Sequence, residues 1–181
     1  MGHDRFTQQG CNSRPLCCSY EGVRFDALPL ETLYAADRAN LVARWAIGMH
    51  ASGEQEILGA WLESGSAGRF LGDRLRELMD RGVESVGAIF DGDTSVVGHP
   101  SSGSARRVAR AQPSLTATCE KVANSIRRAA LRRGPFDGPE TAARFLGEFA
   151  QRTEKNLRSG RDSQSARSAS SEPIAVGHVQ R

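Results

Sequence analysis

Residues 1–19 show no hydrophobic period, and Gly10-Cys11-Asn12-Ser13-Arg14-Pro15 interrupts any regular element. The pattern changes at Tyr20. Over residues 20–30, Val23, Phe25 and Ala27 share one alternating face and Asp26 lies on the other, which predicts a strand. Residues 41–50 and 55–62 are two apolar segments around Ala51-Ser52-Gly53-Glu54, the pattern of a hairpin with its glycine in the turn. Residues 66–81 then switch to a helical period. Ala67, Leu71, Leu75, Leu78 and Met79 form the apolar stripe, Arg69, Asp73, Arg76, Glu77 and Asp80 take much of the other surface, and Gly82 supplies the stop. Residues 83–90 read as a buried strand that ends at Asp91-Gly92-Asp93.

Beyond a loop at 98–103, the pattern predicts a short helix over 104–111, a strand over 114–119 and a basic helix over 121–133. Gly138-Pro139 opens a further helix, since proline suits a first helical position, with Ala142, Phe145, Leu146, Phe149 and Ala150 along one side. After Leu157 the chain turns to Ser, Arg, Gln and Gly without aromatics, which predicts disorder over 158–181. The chain thus divides into an irregular segment 1–19, a core 20–133, a helical segment 134–157 and a disordered tail. A meander of three strands followed by strands separated by helices specifies an α/β fold, a mixed sheet with flanking helices. The order suits a ribonuclease-H-like sheet, and other mixed sheets share it.

Composition sharpens this picture through charge. The 181 residues suffice for one domain with a real core. No apolar run reaches the roughly 18 residues of a membrane span, and the polar start carries no secretory signal, so a cytoplasmic protein without a membrane partner is expected. The formal charge of +3 is unevenly spread: residues 1–93 carry −5, while residues 94–133 carry +7, with Glu120 their single acid. A basic strip of that density fits a surface that meets phosphate; a solvated helix face is the competing reading. Cys11, Cys17, Cys18 and Cys119 lack zinc-knuckle spacing and read as reduced thiols.

Two acids stand out by position. Asp26 interrupts an apolar strand and Asp91 ends another, so neighbouring strands would gather two carboxylates at one place in the sheet. Paired carboxylates are what magnesium needs, and two such ions can clamp both oxygens of a phosphoryl displacement. The competing reading is a turn-forming Asp91 before glycine and a solvent-facing Asp26. Asp93 lies farther into the turn. No Gly-Lys-Ser/Thr phosphate loop supports an NTPase, and Gly65-Ser66-Ala67-Gly68 lacks the spacing of a nucleophile elbow. His50 and His99 have no evident partners and read as surface or turn histidines.

Several stretches resemble the Mutator-type transposases of bacterial insertion sequences. Phe25-Asp26-Ala27-Leu28 is similar to the family's first acid-bearing strand, and Ala46-Ile47-Gly48-Met49 follows as expected. Gly53-Glu54-Gln55-Glu56-Ile57-Leu58-Gly59-Ala60-Trp61 looks like the family signature G-x-x-E-[IV]-L-G-x-W. Leu75, Leu78 and Arg81-Gly82-Val83 resemble the next helix, and Asp91-Gly92 stands where the second acid is expected. Residues 142–159, with Glu148-Phe149 and Glu154-Lys155-Asn156-Leu157-Arg158-Ser159, resemble the start of a helical insertion.

The resemblance, over about residues 24–159, implies a ribonuclease-H-like core with an Asp, Asp, Glu triad that cleaves and joins DNA with Mg2+ or Mn2+. It implies Asp26 and Asp91 as catalytic metal ligands, element ends and target DNA as partners, and Arg106, Arg107, Arg110, Arg127, Arg128, Arg132 and Arg133 as phosphate contacts. It also allows a homo-oligomer. The chain departs from the pattern at Val122, where the family has a histidine two residues beyond Cys119 plus one. The family's glutamate would fall past Arg181, and Glu148 and Glu154 do not take its place. The expectation is therefore a sheet incomplete at its C-terminal side, a truncated transposase inactive alone. The alternative is a non-catalytic remnant that binds nucleic acid through 105–133.

Overall fold

The computed structural model describes residues 13–30, 41–64, 70–92, 94–97 and 104–169. The elements are β1 (Ser19–Tyr20), β2 (Gly22–Leu30), β3 (Leu41–Met49), β4 (Gln55–Ser64), α1 (Phe70–Asp80), β5 (Ser85–Val86), β6 (Ile89–Asp91), β7 (Thr94–Val97), α2 (Ser104–Arg133) and α3 (Pro139–Ala169). Five strands form a sheet in the order β4-β3-β2-β6-β7. β2, β3 and β4 are an antiparallel meander, β6 joins β2 in parallel, and β7 folds back antiparallel on β6. This is a mixed α/β sheet, as the alternation predicts.

Each face of the sheet has its own core. Val23 and Phe25 of β2, Ala46, Leu58 and Trp61 meet Phe70 and Leu78 of α1 on one face. Leu41, Ala43, Trp45, Ile47 and Met49 of β3 meet α2 and α3 on the other, through Ala111, Leu115, Cys119, Val122, Ile126, Leu146 and Phe149. β4 serves both faces because of a bulge: Ile47 pairs with Ile57 and Ala46 with Gly59, leaving Leu58 as the extra residue. Ile57 and Ala60 therefore share one face, and Leu58 and Trp61 the other.

Turn chemistry follows the sequence closely. Gly53, at φ 86°, sits in the β3–β4 turn. α1 ends at Gly82, φ 107°, whose N–H reaches the Met79 carbonyl while the Val83 N–H reaches that of Leu78. These two bonds satisfy the last carbonyls, and buried Val83 lies in one cluster with Leu78.

Several expectations are corrected. Residues 83–90 are two short strands, because β5 pairs with β1 while β6 pairs with β2. Gly87 lies between them with its N–H on the Tyr20 carbonyl, so close that a Cβ would stand 2.6 Å from the Glu21 carbonyl oxygen. Residues 114–119 are helical, within the single long α2. Leu115 and Cys119 suit either period, but Ala111, Val122 and Ile126 extend only the helical one. Pro113 lies inside this helix on its exposed side and there removes one i→i−4 hydrogen bond. Met79 is 64% exposed, and Phe70 supplies the apolar contact instead. β7 adds an unexpected edge strand, and α3 continues through 158–169. The loop at 98–103, residues 1–12 and residues 170–181 lie outside the described residues.

Candidate functional site

Asp26 stands in the middle of β2 and Asp91 ends β6, so the fold places the two acids on neighbouring parallel strands. They are one register step apart, since Asp91 pairs with Phe25. Strand alternation then assigns Asp91 to the face of Phe25 and Asp26 to the opposite face, that of its β3 partner Trp45. Gly92, at φ 55°, turns the chain immediately after Asp91, with its N–H on the Phe25 carbonyl. Asp93 lies outside the described residues.

Asp26 is not solitary. Its Oδ1 accepts the Ala27 N–H at 2.9 Å, and Arg24 Nη2 lies 3.6 Å from its Oδ2. Arg24 is 4% exposed and donates from Nη1 to Thr116 Oγ1 on α2 at 3.1 Å. Cys119 lies in the same neighbourhood. Burial, and then the charge of Asp26, push its thiol up to about 12, against an opposite pull from Trp45 and Arg24. It is a core thiol, not a reactive one. Arg24 carries no motif, yet a signal was legible: an arginine and an aspartate two apart on a strand share a face.

A second polar cluster is built round Glu56, which is 7% exposed. Tyr20 donates to Oε1 at 2.6 Å, Arg14 to Oε2 at 2.7 Å, and His50 Nε2 lies 3.1 Å from Oε1. Arg14 also pairs with Glu154 of α3 at 3.1 Å. Burial alone would raise the Glu56 carboxyl, but the bonds from Tyr20 and Arg14, with the charges of Arg14 and His50, hold it below its ordinary range. Burial and the same carboxylate drive the Tyr20 phenol far up. His50 therefore has a partner that its sequence context did not reveal, and its ring packs 4.7 Å from that of Tyr20. Gly48 makes the approach fit, since a Cβ there would lie 2.6 Å from the Tyr20 ring. His99 lies outside the described residues.

The basic residues line the far end of α2. Arg127, Arg128, Arg132 and Arg133 are exposed, beside Leu131 at 72% exposure, while Val122 and Ile126 face the core. Arg127 and Arg128 also bond Asn124 within the helix, and Arg133 covers the Phe136 ring. Arg106, Arg107 and Arg110 belong to the first turns of α2, where side chains are outside the described set. Among the described residues no three His, Cys, Asp or Glu side chains gather as a metal group. Asp26 and Asp91 fit a hard divalent cation in kind, as oxygen donors. In placement they are strand neighbours on opposite faces of the sheet, so their carboxylates do not converge there.

Residues 8–95, a span that holds both acids, match the Mutator family of transposases. Over this span the chain is similar to that family. No curated protein matches the chain. The Mutator match begins ahead of Arg24, and the structure supplies a reason: Arg14 and Tyr20 complete the cluster round Glu56. It also gives the signature stretch a physical meaning. Gly53 makes the turn, Glu56 is the buried hub, Leu58 and Gly59 form the bulge, and Trp61 anchors the α1 face. These residues build the sheet that carries Asp26. Among the described residues, no helix is long and apolar enough to cross a membrane.

Proposed function

We propose that this chain works on DNA as the sheet portion of a Mutator transposase, with Asp26 and Asp91 as the first two carboxylates of metal-dependent strand cleavage and joining. The observation that carries the reading is the family match over residues 8–95, which spans two acids on adjacent parallel strands. The strand order lends support: a three-strand meander whose first strand gains a parallel neighbour suits a ribonuclease-H-like core. A Mg2+ or Mn2+ ion bound by both would stabilise charge on the attacking and leaving oxygens, but Asp26 and Asp91 face opposite sides of the sheet here. Arg127, Arg128, Arg132 and Arg133 would grip phosphates and fix the position of the duplex without reading its bases. The setting would be the bacterial cytoplasm, where the element ends and target DNA are found.

A triad also needs a third carboxylate, and the described residues gather no such group. This chain alone is therefore expected to leave DNA uncut. Incubation of the full chain with end-labelled duplex and Mn2+, resolved on denaturing gels, tests this. No product above the metal-only control is predicted. Cleavage abolished by Asp26→Asn or Asp91→Asn would overturn the claim of inactivity, and cleavage surviving both would overturn the assignment of the acids.

A non-catalytic binding role has its own support in the exposed basic end of α2. It predicts DNA affinity that is indifferent to EDTA.

A further inference from the structure

Leu131, in the last turn of α2, is 72% exposed. A lone surface leucine needs no explanation. The surroundings of this one do. Residues 127–133 hold four arginines and no acid. Arg127 and Arg128 lie four and three positions before Leu131, the spacing of helix neighbours, and Arg132 follows it directly. Their aliphatic stems could shield the leucine. Instead Arg127 and Arg128 reach back along the helix, Arg127 donating to Asn124 Oδ1 at 2.6 Å and Arg128 to the Asn124 carbonyl at 3.3 Å. The helix is firmly seated on its other side, where Val122 is 4% and Ile126 1% exposed. Gly134, at φ 83°, closes it with an N–H on the Ala130 carbonyl. The result is a fixed apolar tip ringed by cations.

We propose that Leu131 is a wedge that enters duplex DNA between two base pairs while Arg127, Arg128 and Arg132 hold the flanking phosphates, so that the chain bends the DNA it binds. This rests on the reading of the basic end of α2 as a DNA surface. The two partners are complementary in charge and in polarity. Arginines replace the counter-ions of the phosphates, and unstacked base faces give the leucine the apolar cover it lacks. A leucine offers no hydrogen bond, so it reads no base edge. Its preference falls on pyrimidine–purine steps, which unstack at least cost, and against stiff A-tracts.

The test uses the full chain and two short duplexes labelled at both ends, one with a central TA step and one with an A-tract. Affinity is read by anisotropy and bending by energy transfer between the ends. The bound TA-step duplex is expected to bend by about 20–90°, and to bind more tightly than the A-tract. Leu131→Ser should lose the bend and the preference while keeping the salt dependence that the arginines set; Leu131→Phe should retain all three. Both substitutions fall at an exposed position and leave folding near the parent. Binding without bending, or a bend that survives in Leu131→Ser, overturns the proposal and leaves the DNA surface standing. Failure of the parent chain to bind either duplex overturns that underlying reading and the proposal with it.

Discussion

Replacing Trp61 with alanine is expected to lower stability by about 3–5 kcal/mol, the range for deleting a large buried aromatic. Trp61 anchors the α1 face, with its ring 5.8 Å from Phe70 and 6.3 Å from Phe25. Its indole N–H donates to Glu77 of α1 at 3.1 Å, and the Arg74 guanidinium lies over the ring. One substitution therefore removes apolar burial, an aromatic cluster and the hydrogen bond that docks α1. Trp61→Phe should cost less, since it retains most of the ring contact and loses the bond to Glu77. Urea denaturation with a shared slope measures both. An alanine variant within about 1 kcal/mol of the parent would show that the signature tryptophan does not anchor α1.

Glu56→Ala should be similarly severe, about 3–5 kcal/mol at neutral pH, because it strands the Tyr20 hydroxyl and one arm of Arg14. The effect has a pH signature. The folded chain holds the Glu56 carboxyl below its unfolded value of 4.5, so its contribution is fully present above that value. It is lost as pH falls through the lower folded value. The gap between the parent and Glu56→Gln should therefore shrink from pH 7 into the acid range. Denaturant midpoints at a series of pH values check this, and a gap that widens on acidification contradicts it.

Much of the sheet was legible because strand alternation is a local property. β2, β3 and β4, their glycine turn and the stop at Gly82 all follow from period and turn chemistry. The misread elements are those where two periods overlap or where pairing is decided elsewhere. Leu115 and Cys119 fit strand and helix alike, and the flanking residues of α2 settle the matter. The break at Gly87 depends on β1 lying beside β5, a contact between residues more than sixty positions apart.

The site divides in the same way. Asp26 and Asp91 were visible as acids at strand positions, but their register, one step apart, belongs to the β2–β6 pairing. Arg24 and the partners of Glu56 went unseen because their meaning is tertiary: Thr116 and Arg14 come from distant parts of the chain. The basic strip was readable from charge, and the structure exposes its four C-terminal arginines while burying the other side of the same helix.

The most direct test of the central claim, that this chain works on DNA, is duplex affinity measured by fluorescence anisotropy over a range of salt. If Arg127, Arg128, Arg132 and Arg133 each neutralise one phosphate, log affinity should fall against log salt with a slope of about −3 to −4. Replacing all four arginines with glutamine should flatten the slope and remove most of the affinity. Absence of binding, binding indifferent to salt, or full affinity in the glutamine variant would contradict the account.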